Sequence, residues 1–225
     1  MLVVTALRHQ FSRVAEERAA VDIAALAAGQ GALTVITGPS GSGKTTLLYL
    51  LSGLLRPRHG RVAWNDTDIA ALGETARDRW RRQHAGFVFQ NFNLIEEMTA
   101  LDNVTVAANF SGFTSAPWRR RGAELLDGLG VPGGKRRVET YSRGEQQRIA
   151  LARALIFDPP ILFADEPTAS LDAANGAALG AQLKALAAQG RTVIAVSHDP
   201  VLIAQADARL ELDRGRLVSR LASVP

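Results

Sequence analysis

The run Gly38-Pro39-Ser40-Gly41-Ser42-Gly43-Lys44-Thr45 has the spacing G-x-x-x-x-G-K-[ST], and these residue types are suited to holding phosphate groups. Its glycines let backbone N–H groups turn inward around phosphate oxygens. The run follows a predicted strand and opens a predicted helix, whose N-terminus also favours an anion. We therefore expect a phosphate-binding loop continuing to Thr46, in which Lys44 reaches the phosphates and the Thr45 hydroxyl ligates Mg²⁺.

A second group of reactive side chains ends an apolar strand, where residues 161–164 are followed by Asp165 and Glu166. In a parallel sheet both carboxylates lie at the C-terminal edge, beside the phosphate loop. Asp165 is suited to the Mg²⁺ shell, and Glu166 to the role of general base for a hydrolytic water. Many strands end in acidic residues, so this pattern carries weight only together with the loop.

Alternating strands and helices around these groups predict an α/β fold with a parallel core. A helical block of roughly residues 92–157 is inserted between strands, and residues 1–225 are expected to form a single domain without internal repeats. Predicted strands are residues 2–7, 21–26, 32–37, 61–64, 86–89, 161–164 and 192–197, with a closing hairpin of 208–213 and 217–220. Predicted helices are residues 45–54, 74–84, 100–110, 118–129, 144–157 and 173–188.

Composition excludes several classes of protein. With 47% hydrophobic and 21% charged residues, the chain is neither disordered nor fibrous, and the absence of cysteine excludes disulfides and Cys-based metal sites. No apolar run approaches the roughly 18 residues of a membrane span. The apolar N-terminus lacks the basic segment of a signal peptide and is interpreted as a first strand. A net charge of only +4 does not suggest a nucleic-acid partner, and the basic clusters 119–121 and 135–137 are interpreted mainly as solvated surface.

A third motif makes the interpretation specific. Tyr141-Ser142-Arg143-Gly144-Glu145, followed by a predicted helix, resembles the signature loop of the ATP-binding subunits of ABC transporters, which usually reads Leu-Ser-Gly-Gly-Gln. Other parts of the chain resemble that family in the same order. They are an adenine-stacking aromatic (Phe11), a Q-loop glutamine (Gln90), a D-loop (Ser170, Leu171, Asp172) and a switch histidine (His198).

The resemblance implies a P-loop NTPase fold of the ABC type, with a mainly parallel core, an antiparallel β subdomain and an inserted helical subdomain. It implies ATP and Mg²⁺ as cofactors, Lys44, Glu166 and His198 as catalytic residues, and Thr45, Gln90 and Asp165 around the metal. Two such domains dimerise head to tail in the family, so each signature loop acts on the other chain's ATP. This chain carries one set of motifs and therefore needs a second copy of itself or a paralogue.

Two residues of the signature depart from the family pattern. Arg143 replaces the usual first glycine, which implies that position 143 does not need a positive φ, and Glu145 replaces glutamine. Ser142 and Gly144 are kept. The Arg143 side chain could donate to phosphate across the dimer, point outward, or crowd the interface.

The segment after Gln90, residues 91–104, is similar to one branch of the family. That branch includes the lipoprotein-releasing, macrolide- and haem-exporting and cell-division ATPases. Phe92, Leu94, Ile95 and Met98 are candidates to line a groove for a helix of an integral membrane permease, or they are core of the helical block. The expected location is cytoplasmic, on the inner face of the membrane through the permease.

Two other functions stay open. The first is a mechanical ATPase of the same branch that signals through a membrane partner. The second is the degenerate half of an ABC heterodimer. A soluble ABC ATPase of DNA repair or translation is disfavoured, because the sequence has no coiled-coil insertion, zinc site or second cassette.

Overall fold

The computed structural model describes residues 1–11, 19–109, 115–132 and 135–222. Within these ranges the chain forms ten strands and seven α-helices. The strands are β1 (Leu2–His9), β2 (Val21–Ala28), β3 (Leu33–Thr37), β4 (His59–Trp64), β5 (Thr67–Asp68), β6 (Ala85–Val88), β7 (Ile161–Asp165), β8 (Thr192–Val196), β9 (Ala208–Asp213) and β10 (Arg216–Ala222). The helices are α1 (Lys44–Leu51), α2 (Glu74–His84), α3 (Ala100–Asn109), α4 (Ser115–Gly128), α5 (Arg143–Leu155), α6 (Ala173–Ala188) and α7 (Pro200–Ala204).

The strands form two sheets. The larger has the order β10-β9-β3-β8-β7-β6, in which only the β10–β9 pair is antiparallel. The smaller is antiparallel, with the order β2-β1-β4-β5. The predicted parallel core with an antiparallel β part is thus confirmed.

The central strands β3, β7 and β8 are buried along their whole length, because helices or the second sheet cover both faces. Alternate side chains of β3 enter two different cores, as the two-residue period of a strand requires. Ile36 packs with α1 and the antiparallel sheet, whereas Leu33 and Val35 pack with Leu179 and Leu183 of α6.

Helices α3, α4 and α5 pack against one another around a third core. Helix α5 belongs to two cores at once, because Ile149 and Ala152 face α3 and α4 whereas Leu151 and Leu155 face the parallel sheet. A helix that is apolar on two faces is buried on both. Helix α5 therefore fixes the helical part to the sheet.

Several predicted bounds shift by a few residues, and three short elements were not predicted. Helix α5 begins at Arg143, because Ser142 caps it, and ends at Leu155, before the predicted Phe157. Strand β5, helix α7 and a 3₁₀ turn at Val138–Thr140 are too short to show a period in the sequence. The predicted helix end at Phe110 lies outside the described residues.

No helix in the described parts of the chain is both long enough and apolar enough to cross a membrane.

The contact between α5 and β6 generates a stability prediction. A Cβ atom at Gly86 of β6 would lie 2.4 Å from the Ala154 carbonyl oxygen of α5, so Gly86→Ala must push the helix away from the sheet. We expect a loss of about 1–3 kcal/mol in the free energy of unfolding, measured by denaturant titration. Gly128→Ala in α4 is the matched control, because nothing lies within 4 Å of its Cβ position. Equal stability of the two variants would contradict the close approach.

Candidate functional site

The phosphate loop leaves β3 and enters α1 with the conformation that its glycines allow. Gly38, Gly41 and Gly43 have φ values of 142°, 73° and 99°. A Cβ atom at Gly38 would lie 2.0 Å from the Leu212 carbonyl oxygen, and one at Gly43 would lie 2.3 Å from the Ala20 carbonyl oxygen. Larger residues are excluded at both positions, so the loop can bend tightly around a ligand.

The interior of the loop has donors that suit an anion. The Lys44 ammonium spans the loop and donates to the carbonyl oxygens of Gly38 (2.9 Å) and Pro39 (3.0 Å). The buried Ser42 hydroxyl has no hydrogen-bond partner among the described residues. Helix α1 begins at Lys44, so its unpaired N–H groups face the same space. These residues fit a phosphate group.

Asp165 lies below the loop at the end of β7 and is 5% exposed. Its Oδ1 accepts a hydrogen bond of 3.0 Å from the Thr45 hydroxyl, and the Tyr49 hydroxyl also hydrogen-bonds its carboxylate. Burial raises the pKa of Asp165, and these two hydrogen bonds oppose that rise. Tyr49 was not predicted as a site residue, although its place one turn after Thr45 on α1 puts both side chains on one face.

Glu166 and His198 form a pair at the neighbouring strand ends. The His198 Nδ1 lies 2.9 Å from the Glu166 carboxylate, and the His198 side chain is 74% exposed. Glu166 has a φ of 45°, a left-handed conformation that is uncommon for a residue with a Cβ atom, and its N–H donates to the Val196 carbonyl oxygen. The strand register thus holds the Glu166 carboxylate beside the histidine.

One pocket of about 460 Å³ collects most of the predicted nucleotide-site residues, a volume typical of ligand sites. It is lined by Phe11, Ala20, Ser40, Gly41, Ser42, Gly43, Lys44, Thr45, Thr46, Gln90, Glu166 and His198. Gly38 and Pro39 form the base of the loop.

The described residues contain no cluster of three or more His, Asp or Glu side chains that could hold a metal ion. The Thr45 hydroxyl and the Asp165 carboxylate, 3.0 Å apart, provide oxygen atoms of the kind that Mg²⁺ prefers as ligands.

The first three signature residues, Tyr141, Ser142 and Arg143, line a different pocket from the phosphate loop. Ser142 caps α5 in a capping box with Glu145, whose carboxylate accepts from the Ser142 N–H and hydroxyl at 2.8 Å each. These hydrogen bonds lower the pKa of Glu145. A Cβ atom at Gly144 would lie 2.5 Å from the Asn175 Oδ1 of α6, so a larger residue there would have to displace the Asn175 side chain.

Arg143 occupies the first helical position of α5 and is absent from the positive-φ residues of the described chain. This confirms that position 143 does not need glycine. Its guanidinium lies 3.4 Å from the Gln146 Oε1 and 5.9 Å from the centre of the Phe92 ring, both in its own chain.

In the predicted D-loop, Asp172 caps α6 by accepting from the Asn175 N–H at 2.8 Å, and Ser170 and Leu171 form the turn before it.

The predicted permease-facing residues divide between two environments. Phe92 is 3% exposed, which supports the core alternative for this residue, whereas Ile95 is 38% exposed. Phe92 and Leu94 line the pocket that contains Ser142.

A separate groove of about 540 Å³ lies between α2, β6 and α5, and none of the four predicted residues lines it. Its wall includes Phe87, Phe89 and Arg153, whose guanidinium donates to the carbonyl oxygens of Phe92 and Asn93. Sequence reasoning missed this groove because its walls come from distant parts of the chain.

A phosphate loop between a parallel strand and a helix, with carboxylates at an adjacent strand end, defines the class of P-loop nucleotide-binding proteins. Residues 21–169 match the model of the ABC transporter family, and the chain belongs to that family as an ABC ATPase domain. This confirms the resemblance carried by the signature loop.

Relatives and solved structures agree with this assignment. An uncharacterized ABC transporter ATP-binding protein of Mycobacterium tuberculosis is 41% identical over 85% of this chain, which spans 58% of that protein. The lipoprotein-releasing system ATP-binding protein LolD of Chromohalobacter salexigens is 41% identical over 83% of this chain and 80% of its own length. The dimeric structure of a bacterial ABC transporter cassette matches with a TM-score of 0.90 and 30% identity over 100% of both chains. A post-hydrolysis dimeric structure of that cassette, bound to ADP and Pi, matches equally.

The buried Asp165 carboxyl generates a prediction about stability and pH. Because its pKa is raised in the folded state, its stabilising contribution is complete below the unfolded pKa and is lost as pH rises through the folded pKa. Asp165→Asn removes this dependence. We therefore expect the variant to gain thermal stability relative to the parent as pH rises from acidic to neutral, without nucleotide.

Thermal unfolding at several pH values measures this difference. Asp66→Asn, in an exposed turn, is the matched control. A constant difference between Asp165→Asn and the parent across the pH range would contradict the argument.

Proposed function

We propose that this chain is the ATP-binding and ATP-hydrolysing subunit of an ABC transporter, and that two copies, or one copy and a paralogue, enclose ATP head to tail. One observation carries the proposal. The pocket that contains the phosphate loop also contains Gln90, Glu166 and His198, but no residue of the signature loop. The site of one chain therefore lacks a component that a second chain can supply.

Most residues of the pocket have a proposed part in ATP binding or hydrolysis. Phe11 stacks on the adenine, and the phosphates are held by Lys44 and by the backbone N–H groups of Gly38 and residues 40–46. Pro39 has no N–H and shapes the loop instead. Thr45, Gln90 and Asp165 hold Mg²⁺, which neutralises charge on the phosphate oxygens when it is bound. The Thr45–Asp165 hydrogen bond already brings two of these three side chains together.

Glu166 is proposed as the general base and His198 as its partner. The carboxylate accepts a proton from the attacking water, and the hydrogen bond to His198 Nδ1 fixes its orientation. The exposed side of the His198 ring is free to approach the terminal phosphate. Positioning of this kind is the main contribution of a protein to phosphoryl transfer.

The second chain supplies Ser142, Arg143, Gly144 and Glu145 at the N-terminus of α5, with the D-loop beside them. A helix N-terminus with an exposed serine is suited to a phosphate. The match to a dimeric cassette at 30% identity supports this arrangement. The Ser142 hydroxyl, which here donates to Glu145, must turn to reach a phosphate in the other chain.

A membrane permease is the proposed second partner. The similar protein of Paracoccus denitrificans, 41% identical, is a macrolide export ATP-binding/permease protein, and this chain spans 29% of it. The groove at Phe87, Phe89 and Arg153 and the exposed Ile95 are the candidate contacts. Through them the chain is held at the inner face of the membrane. The likeness to transporter subunits favours this role over a purely mechanical ATPase.

Glu166→Gln tests the catalytic assignment. The amide keeps the shape of the side chain but cannot accept the proton, so we expect hydrolysis to fall by about 10²–10⁴ while ATP still binds. Size-exclusion chromatography with ATP should then show a stable dimer. Glu124→Gln, on the exposed side of α4, is the matched control and should hydrolyse ATP normally. Normal turnover by Glu166→Gln would exclude Glu166 as the base.

Arg143 gives a prediction about the dimer. Because its guanidinium lies against Gln146 and Phe92 of its own chain, we propose that it makes no phosphate contact. In the Glu166→Gln background, Arg143→Gly should change the ATP-dependent dimer dissociation constant by less than about tenfold. A phosphate contact would contribute roughly 1.5–3 kcal/mol, so a loss of tenfold or more would assign Arg143 to the nucleotide. Tightening by tenfold would mean that it crowds the interface.

A further inference from the structure

The resemblance that marks Phe11 as the adenine-stacking residue does not explain what holds its ring in place. It lies at the edge of the phosphate-loop pocket and is 66% exposed, in the segment that follows β1. An exposed aromatic ring on an unsupported segment would lose conformational entropy when it stacks on a ligand. A group that holds the backbone at Phe11 beforehand would reduce this loss.

Arg58 contacts the backbone of three residues around the end of β1, which are Arg8, Gln10 and Phe11. Its Nε donates to the Gln10 carbonyl oxygen at 2.8 Å, and its Nη2 reaches the Phe11 carbonyl oxygen at 3.5 Å. Its own backbone N–H donates to the Arg8 carbonyl oxygen at 3.2 Å. The side chain thus continues the hydrogen bonding between β1 and β4 beyond the end of β1.

Arg58 directly precedes a part of β4 that is closely packed against β1. The next residues, His59 and Gly60, begin β4, and His59 pairs with Arg8 of β1. A Cβ atom at Gly60 would lie 2.3 Å from the Ala6 carbonyl oxygen, so β4 is pressed against β1 at this point. Arg58 therefore extends from a fixed position.

His9 supports the ring from the other side. Its ring, 8% exposed, meets Phe11 edge to face, with centroids 5.0 Å apart and planes at 84°. Burial and the charge of Arg58 lower the pKa of His9, so a neutral imidazole packs against Phe11. Edge-to-face geometry is a preferred aromatic arrangement.

We infer that Arg58 is a positioning residue that holds the backbone of Gln10 and Phe11, and so keeps the Phe11 ring at the nucleobase end of the pocket. This inference rests on the proposed nucleotide site. The planar guanidinium is needed because it presents two donors in a fixed fork, which a lysine ammonium cannot do.

The test compares a ligand that has a base with one that lacks it. Affinities for ADP and for inorganic pyrophosphate are measured by calorimetry with Mg²⁺, since ADP avoids the coupling of ATP binding to dimerisation. Arg58→Ala should weaken ADP binding about three- to tenfold and leave pyrophosphate binding unchanged. Arg58→Lys should not restore ADP affinity. Arg56→Ala, an exposed arginine of the same turn, is the matched control and should bind both ligands normally.

A double-mutant cycle with Phe11→Ala completes the test. In that background the further change Arg58→Ala should have almost no effect on ADP, because the ring that Arg58 positions is gone. An undiminished effect there, an equal loss of pyrophosphate affinity, or full rescue by lysine would overturn the inference. So would unchanged ADP affinity in Phe11→Ala while Lys44→Ala abolishes binding. If the unsubstituted chain bound neither ligand, the proposed nucleotide site itself would be wrong.

Discussion

The parallel register of β6, β7, β8 and β3 is the constraint on which the site depends. Because these strands run in one direction, the segments after them all emerge at the same edge of the sheet. The phosphate loop, Gln90, Glu166 and His198 come from four distant parts of the sequence, yet they line one pocket. The pairing of Asp165 with Val196 sets the Glu166–His198 distance, so a shift in register would separate the reacting groups.

The convergence of these strand ends also brings negative charges together. The carboxylates of Asp165 and Glu166 lie at the edge of the sheet where phosphates would bind, and burial raises the pKa of Asp165. Hydrogen bonds from Thr45 and Tyr49 partly offset this unfavourable environment, and the Lys44 ammonium crosses the nearby loop. Strain is also present in the backbone, since Glu166 adopts a left-handed conformation. Such features are common where function constrains a structure more than stability does.

The features that could be predicted from the sequence are those whose residues lie close together along the chain. The phosphate loop has a fixed spacing, and the Asp165–Glu166 pair ends an apolar strand, so both could be recognised locally. Tyr49, Arg58 and Arg153 were missed because each acts on a partner that is close only in the folded chain. For Phe92 the sequence left two positions open, facing a permease or in the core, because an apolar residue in a loop can do either. It has a φ of 61° and turns into the protein.

The central claim is that each ATP is shared between two chains, and the absence of cysteine allows a direct measurement. One chain carries Ser40→Cys and another Ser142→Cys, both with Glu166→Gln to retain ATP, and a short thiol crosslinker is added to the mixture. We expect a crosslinked mixed dimer that forms only with ATP, and no internal crosslink in a dilute chain that carries both cysteines. An internal crosslink within the single chain, or no ATP-dependent mixed dimer, would contradict a nucleotide site shared between two chains.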